Sequence, residues 1–441
     1  MLAEHSIRIS QEAIAAEKSV RVSIDLLEHL FASYPYHDFQ VRFWEGSIWG
    51  RANKCRFVLV LKHPGALRNM FLSPSELTLG ESYIFNDFDI EGDIEASVAV
   101  ADFLLSQEQA LSKKLYLTTI LGRLPATGRP RAVRRQLGLR GAVHSRHRDQ
   151  QAISYHYDLP PEFYSLFLDP RMVYSCAYFR TAEDGLDEAQ EQKLDYICRK
   201  LRLCPEERLL DVGCGWGALI IHAAAHYGVK SLGITLSTVQ AEFARQQIRE
   251  AGLDDDRCRV ELCDYRQLKT KAQFDKIASV GMFEHVGEDL LPEYFSRIYD
   301  LLRPEGVFLN HGIAYSATHH RHGPSFTDRY VFPDGELVPI NTTLRTAEFS
   351  ALEVRDMESL REHYVMTLHR WLERLERHAD NARRLTDDTT YRIWRLYMAG
   401  SAHAFRTGRL NLYQTMLVKP ESGRCALPLT REDWYCKQAG Y

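Results

Sequence analysis

Leu209-Leu210-Asp211-Val212-Gly213-Cys214-Gly215-Trp216-Gly217 is a short apolar run that breaks into three glycines spaced two apart. Arg208–Val212 predicts a buried strand, and Ala218–Tyr227 predicts a helix. The glycines between them let the backbone approach a ligand that bulky side chains would hold off. The spacing is neither G-x-G-x-x-G nor G-x-x-x-x-G-K-[ST], so neither a dinucleotide fingerprint nor a phosphate loop is met. Around this unit, Lys230–Ile234, Cys258–Leu262, Phe274–Val280 and Val307–Asn310 read as strands. Ser237–Ala251 and Leu290–Leu302 read as helices. Strand-helix alternation at this spacing predicts an α/β fold, doubly wound and Rossmann-like, with a parallel sheet covered on both faces. Glu348–Arg384 reads as largely helical, an added layer on that core.

The first 120 residues mix periods. Ser19–Leu30 predicts a helix with Val22, Leu26, Leu27 and Leu30 on one face. Gln40–Trp44, Ile48–Trp49 and Arg56–Leu61 read as strands, with Glu45-Gly46-Ser47 as a hairpin turn. Ala96–Leu105 is again helical. The expected organisation is a small α+β domain over 1–120, a linker over 121–150 and a larger domain over 151–441. Eight arginines occur from Arg123 to Arg148, with no acid before Asp149. Two readings stand for that tract: a solvated tether, or a positively charged segment drawn to an anionic surface, each basic residue being worth about 1 kcal/mol at an anionic membrane.

Composition removes several classes. With 45% hydrophobic and 26% charged residues, the chain is neither disordered nor collagen-like nor a small disulfide scaffold. A net charge of -4 argues against a globally basic nucleic-acid binder, and no nucleic-acid partner is expected. No apolar run approaches the roughly 18 residues of a membrane span, and Met1–Gln11 has no export-type apolar region. Nine cysteines without a C-x-x-C pair fit reduced thiols in the cytoplasm. No metal site is expected: Cys258 and Cys263 have no matching second pair, and His319, His320 and His322 read as a solvated loop.

The Asp211–Gly217 turn resembles motif I of the class I S-adenosylmethionine-dependent methyltransferases, in which Asp211 orients the methionine part of the cofactor. Gly213, Gly215 and Gly217 form the turn. At the end of the next strand, within Gly233–Ser237, Thr235, Leu236 and Gln240 stand where many such enzymes place an acid for the ribose hydroxyls. Asp264 and Tyr265 stand at the usual adenine contacts, an acid for the amino group and a ring for the purine.

Further motifs narrow the resemblance. Tyr174-Ser175-Cys176-Ala177-Tyr178-Phe179, Gly281-Met282-Phe283-Glu284-His285-Val286-Gly287, His156-Tyr157-Asp158-Leu159, Asp328–Leu337 and Arg395–Tyr413 are similar to those of the cyclopropane-fatty-acyl-phospholipid synthases. The resemblance covers about residues 150–420. Leu79-Gly80-Glu81-Ser82-Tyr83 resembles the N-terminal domain of the phospholipid-acting members. Tyr174 and Ser175 join the implied cofactor set. The implied reaction moves a methyl group onto a cis double bond of a phospholipid acyl chain and closes a cyclopropane ring. An alkene attacks without help from a Ser or Cys nucleophile. The resulting carbocation is stabilised by aromatic faces such as Tyr178 and Tyr315 and must lose a proton. The resemblance implies bound bicarbonate as the base, held by Cys176, Glu284, His311, Ile313 and Tyr364. Cys176 and Ile313 would act through backbone, His311 and Tyr364 as donors, and Glu284 as an acceptor. It also implies peripheral association with the inner face of a membrane bilayer and a homodimer. A methyl-branched or methylene product from the same cation, an amine N-methyltransferase and a non-catalytic binder on the same fold remain alternatives.

Overall fold

The computed structural model describes residues 2–51, 54–107, 111–126, 141–149, 151, 159–318, 325–425 and 427–435. His156–Asp158, the arginines from 129 to 140 and the histidines at 319, 320 and 322 lie outside the described residues.

The chain forms two compact units, and neither is one continuous stretch. The first comprises Met1–Gln136 with Gly323–Val331 and Asp387–His403. Its sheet has the order β2-β1-β3-β4, from β1 (Phe39–Arg42), β2 (Ile48–Trp49), β3 (Phe57–Leu61) and β4 (Phe88–Gly92). β1 and β2 pair antiparallel across the Glu45–Ser47 turn, as the sequence predicts, and β3 lies parallel to β1. The predicted helix over Ser19–Leu30 is the C-terminal part of a longer one, Leu2–Phe31. The two inserted segments are bonded into this unit. Arg392 is 4% exposed and donates to Asp89 and Asn86. Arg395 donates to the Tyr83 hydroxyl at 2.9 Å. Tyr330 donates to Glu81 at 2.9 Å, and a Cβ on Gly80 would come within 2.5 Å of the Phe326 ring. The Leu79–Tyr83 motif is therefore the seat for these segments.

The second unit comprises Leu137–His322, Phe332–Thr386 and Ala404–Tyr441. It holds a seven-stranded sheet of order β10-β11-β9-β8-β5-β6-β7. These strands are β5 (Arg208–Val212), β6 (Lys230–Thr235), β7 (Cys258–Leu262), β8 (Phe274–Val280), β9 (Leu302–Tyr315), β10 (Glu353–Ser359) and β11 (Leu410–Val418). β9, β8, β5, β6 and β7 are mutually parallel. The α/β doubly wound reading holds, with one correction: β11 enters antiparallel between β9 and β10, so the sheet is mixed. A second correction concerns Glu348–Arg384, where β10 separates the helices Ile340–Phe349 and Arg361–Arg377. β10 is a charged edge strand with no fully buried residue, so it lacks the apolar alternation that marks a strand in sequence. The core is conventional. Helix Leu291–Leu301 buries Leu291, Tyr294, Phe295, Ile298 and Leu301 against the sheet at i, i+3, i+4 and i+7 spacing. The parallel strands end together at one edge, where α/β sheets bind their ligands.

Candidate active site

A cavity opens at the carboxyl ends of β5, β6 and β7. Tyr174, Ser175, Asp211, Gly213, Gly215, Thr235, Leu236, Gln240, Asp264 and Tyr265 line it. Gly217 lies outside the lining. It starts helix Ala218–Tyr227 at φ +90°, and a Cβ there would stand 2.9 Å from that of Ala244. Its role is helix packing. Gly213 (φ +82°) does both jobs, because a Cβ would come within 2.7 Å of Met282.

Two buried charges face this cavity. Asp211 is 2% exposed, and its Oδ1 has no hydrogen-bond partner. Burial pushes its carboxyl up to about 7, against the pull of Lys193. Lys193, also buried, donates to Ser175 Oγ at 2.9 Å, and burial lowers it to about 8. An α-amino acid zwitterion carries the complementary pair of charges, so the methionine end of S-adenosylmethionine fits here. Lys193 escaped the sequence reading. Its signal was available: a lysine within the otherwise buried stripe Leu186, Ala189, Gln190, Leu194 and Ile197 of helix Leu186–Leu201.

At the end of β6, Thr235 Oγ1 donates to Gln240 Oε1 at 2.9 Å, which leaves the Gln240 amide hydrogens as donors. At the end of β7, Asp264 does not stand alone. Arg266 donates to it through Nε at 2.9 Å and Nη2 at 2.6 Å, and also reaches Asp149 at 2.9 Å. Asp149 and Arg266 line the cavity too, as do Trp216, Met282 and His285. The described end of the arginine tract is likewise engaged, since Arg148 donates to both oxygens of Asp334.

Cys176, Glu284, His311, Ile313 and Tyr364 lie outside that lining, yet short contacts join them. β8 stops at Val280, and Gly281 N–H donates to the His311 carbonyl at 2.9 Å. The next rung, Ile313 N–H, has no strand residue to meet and donates to Glu284 Oε1 at 2.8 Å. The Ile313 backbone is thus engaged by Glu284. Leu412, opposite Ile313, accepts from Leu360 N–H, and Leu360 accepts from Tyr364 N–H one turn on. The Cys176 thiol contacts the Leu360 carbonyl at 3.9 Å. Burial drives that thiol well above its usual range, so it is no thiolate nucleophile. Tyr364 packs on Phe405, with ring centroids 4.6 Å apart. Tyr178 turns to Tyr196 and stacks on His363, while Tyr315 ends β9 opposite Leu410.

Two atoms of this group are buried without a partner: Glu284 Oε2 and His311 Nε2. Burial raises the Glu284 carboxyl to about 7 and holds His311 neutral. A carboxyl that holds its proton up to about pH 7 and a neutral imidazole suit a small hydrogen-bonding anion, and bicarbonate fits that chemistry. Glu284 sits between Met282 and His285, both in the cofactor lining, and Cys176 follows Ser175. Among the described residues, no group of three His, Cys, Asp or Glu could hold a metal, and no helix is long and apolar enough to cross a membrane.

Comparison with known proteins supports the cofactor cavity as a methyltransferase site. A family model described as mycolic acid cyclopropane synthetase matches residues 144–415, and one described as a domain of unknown function matches 26–113. A probable fatty acid methyltransferase of Pseudomonas putida is 40% identical over 403 residues, covering 90% of this chain and 96% of its own. The cyclopropane-fatty-acyl-phospholipid synthase of Escherichia coli is 38% identical over 268 residues, covering 60% of this chain and 66% of its own. The solved mycolic acid cyclopropane synthase CmaA1, complexed with SAH, has a TM-score of 0.57 at 34% identity, covering 61% of this chain and 98% of its own. With the cavity at the strand ends and this match across most of its length, the chain belongs to the mycolic acid cyclopropane synthetase family of S-adenosylmethionine-dependent methyltransferases.

Proposed function

We propose that the protein methylates the cis double bond of an unsaturated phospholipid acyl chain and closes a cyclopropane ring across it. The observation that carries this reading is the pair of unpartnered buried atoms, Glu284 Oε2 and His311 Nε2, on residues that adjoin the cofactor lining. S-adenosylmethionine supplies an electrophilic methyl group. Asp211 and Lys193 orient its amino-acid end, Thr235 and Gln240 its ribose, and Asp264 and Tyr265 its base. The chain's other task is exclusion. A carbocation in the acyl chain survives only where water is kept out, and the burial of Cys176, His311, Tyr364 and Phe405 serves that end. Ring closure requires loss of one proton from the transferred methyl. Bicarbonate held by Cys176, Glu284, His311, Ile313 and Tyr364 would supply the base. The reading includes peripheral association with the inner face of a membrane through the basic 121–150 tract, and a homodimer. The name of the Escherichia coli relative supports a phospholipid substrate.

The name of the Pseudomonas relative, a fatty acid methyltransferase matched along 90% of this chain, supports a second reading: a methyl-branched or methylene product from the same cation. Product analysis separates them. Purified protein is incubated with S-adenosylmethionine and liposomes of cis-monounsaturated phospholipid, and the released acyl chains are analysed by mass spectrometry. Gain of one methylene with no remaining unsaturation is the expected result. The same gain with a double bond retained favours the second reading, and no gain rejects both. Sedimentation with anionic and neutral vesicles tests the membrane step, and equal binding to both counts against the arginine tract.

A further inference from the structure

Lys200, Gln414 and His311 stand in a hydrogen-bonded file whose direction follows from valence. Lys200, on helix Leu186–Leu201, is 1% exposed and pairs with Glu358. Its ammonium also lies 4.6 Å from the centre of the Tyr196 ring and 5.4 Å from that of Trp434. Burial lowers its pKa, while the Glu358 carboxylate and the two aromatic faces favour the charged form. An ammonium only donates, so Gln414 Oε1, 2.8 Å from Lys200 Nζ, is the acceptor. The amide nitrogen of Gln414 is then the atom 3.1 Å from His311 Nδ1. An amide NH₂ also only donates, so Nδ1 carries the lone pair. In the neutral ring the proton must sit on Nε2. That nitrogen is the buried, unpartnered one.

We propose that Gln414, set by Lys200, is the positioning residue that holds His311 in its Nε2–H tautomer and so makes the ring a hydrogen-bond donor to the small anion. The proposal rests on the reading of Glu284 and His311 as the anion-holding pair. The opposite tautomer would turn a lone pair toward that anion and repel it. Burying an unmatched donor is costly, and a fold retains one where a ligand uses it. Neither Gln414 nor Lys200 lines the cofactor cavity; their effect passes through the imidazole.

The test is the tautomer itself, read from long-range proton–nitrogen spectra of the full chain labelled with ¹⁵N-histidine. His311 is assigned by the signal lost in His311→Gln. The wild type is expected to show an unprotonated Nδ1 and a protonated Nε2. Gln414→Glu has the same shape, still receives Lys200, and offers only an acceptor to Nδ1, so it is expected to reverse the two. The bicarbonate concentration for half-maximal methyl transfer in carbonate-depleted buffer should then rise about 10–100-fold. Binding of S-adenosylhomocysteine, measured on the same sample, shows that the variant is folded. If Gln414→Glu does not fold, Gln414→Met takes its place and is expected to lose the tautomer preference. A protonated Nδ1 in the wild type, or no change in the variant, overturns the proposal. A reversed tautomer with unchanged bicarbonate dependence overturns the positioning role. A wild-type enzyme indifferent to bicarbonate, with the tautomer as stated, overturns the anion reading and with it the purpose assigned to Gln414.

Discussion

Glu284 ties the site to pH through one carboxyl. Its folded value, about 7, stands above the ordinary 4.5, and desolvation is the main cause. Between those values the folded protein keeps a proton that the unfolded chain has released. The contribution of this group to stability is therefore complete below about pH 4.5 and lost as pH rises through about 7. Glu284→Gln removes the titration. Its stability relative to wild type should improve from near pH 5 to near pH 8, by roughly 3 kcal/mol at most for a shift of this size. Urea denaturation of both proteins at the two pH values measures it, and a constant difference rejects the assignment. Asp211, also raised, is common to both proteins and cancels. At this scale the sequence was most readable where a residue type sits in a motif: ten of the eleven proposed cofactor residues line the cavity. Asp149 was hidden because its partner Arg266 lies 117 positions away, whereas Lys193 carried a readable signal as a lysine in a buried helical stripe.

The glycine turn shows how one element divides its labour. Gly215, at φ +52°, lines the cavity, and a Cβ there would meet nothing within 4 Å. Gly217, at φ +90°, meets Ala244 on helix Thr238–Glu250. Gly217→Ala should cost about 1–3 kcal/mol of stability from overpacking, plus backbone strain, while folded protein retains its cofactor affinity. Gly215→Ala carries backbone strain of about 1–2 kcal/mol but no overpacking, so it should weaken S-adenosylhomocysteine binding about tenfold, or 1.4 kcal/mol, with the smaller loss of melting temperature. Calorimetric titration and thermal unfolding of the two variants check the contrast; matching effects on both quantities would refute it. The strands β5 to β8 were legible because each is an apolar run bounded by turn residues. β10 and β11 were not. β10 hides its strand character behind charge, and the order in which β11 enters the sheet depends on pairing with β9, which no local pattern encodes.

At the scale of the molecule, the first unit depends on chain that arrives late. Arg392 and Arg395 are among its buried residues, and Phe326 packs on Gly80. A fragment spanning 151–441 would lack the residues that bond Arg392 and Arg395, and would leave Asp387–His403 without the rest of its unit. The fragment is expected to aggregate or to unfold without a cooperative transition. A soluble, cofactor-binding fragment with a sharp melt would contradict this. The same threading has a consequence for biosynthesis. The first unit waits for Asp387–His403, and the central sheet waits for β11 at Leu410–Val418. At roughly 5–20 residues per second of translation, residues 1–136 remain without their last partner for tens of seconds on the ribosome. Throughout that delay the nascent chain presents apolar surface to holdase chaperones. A stop codon after residue 386 would leave both units unfinished.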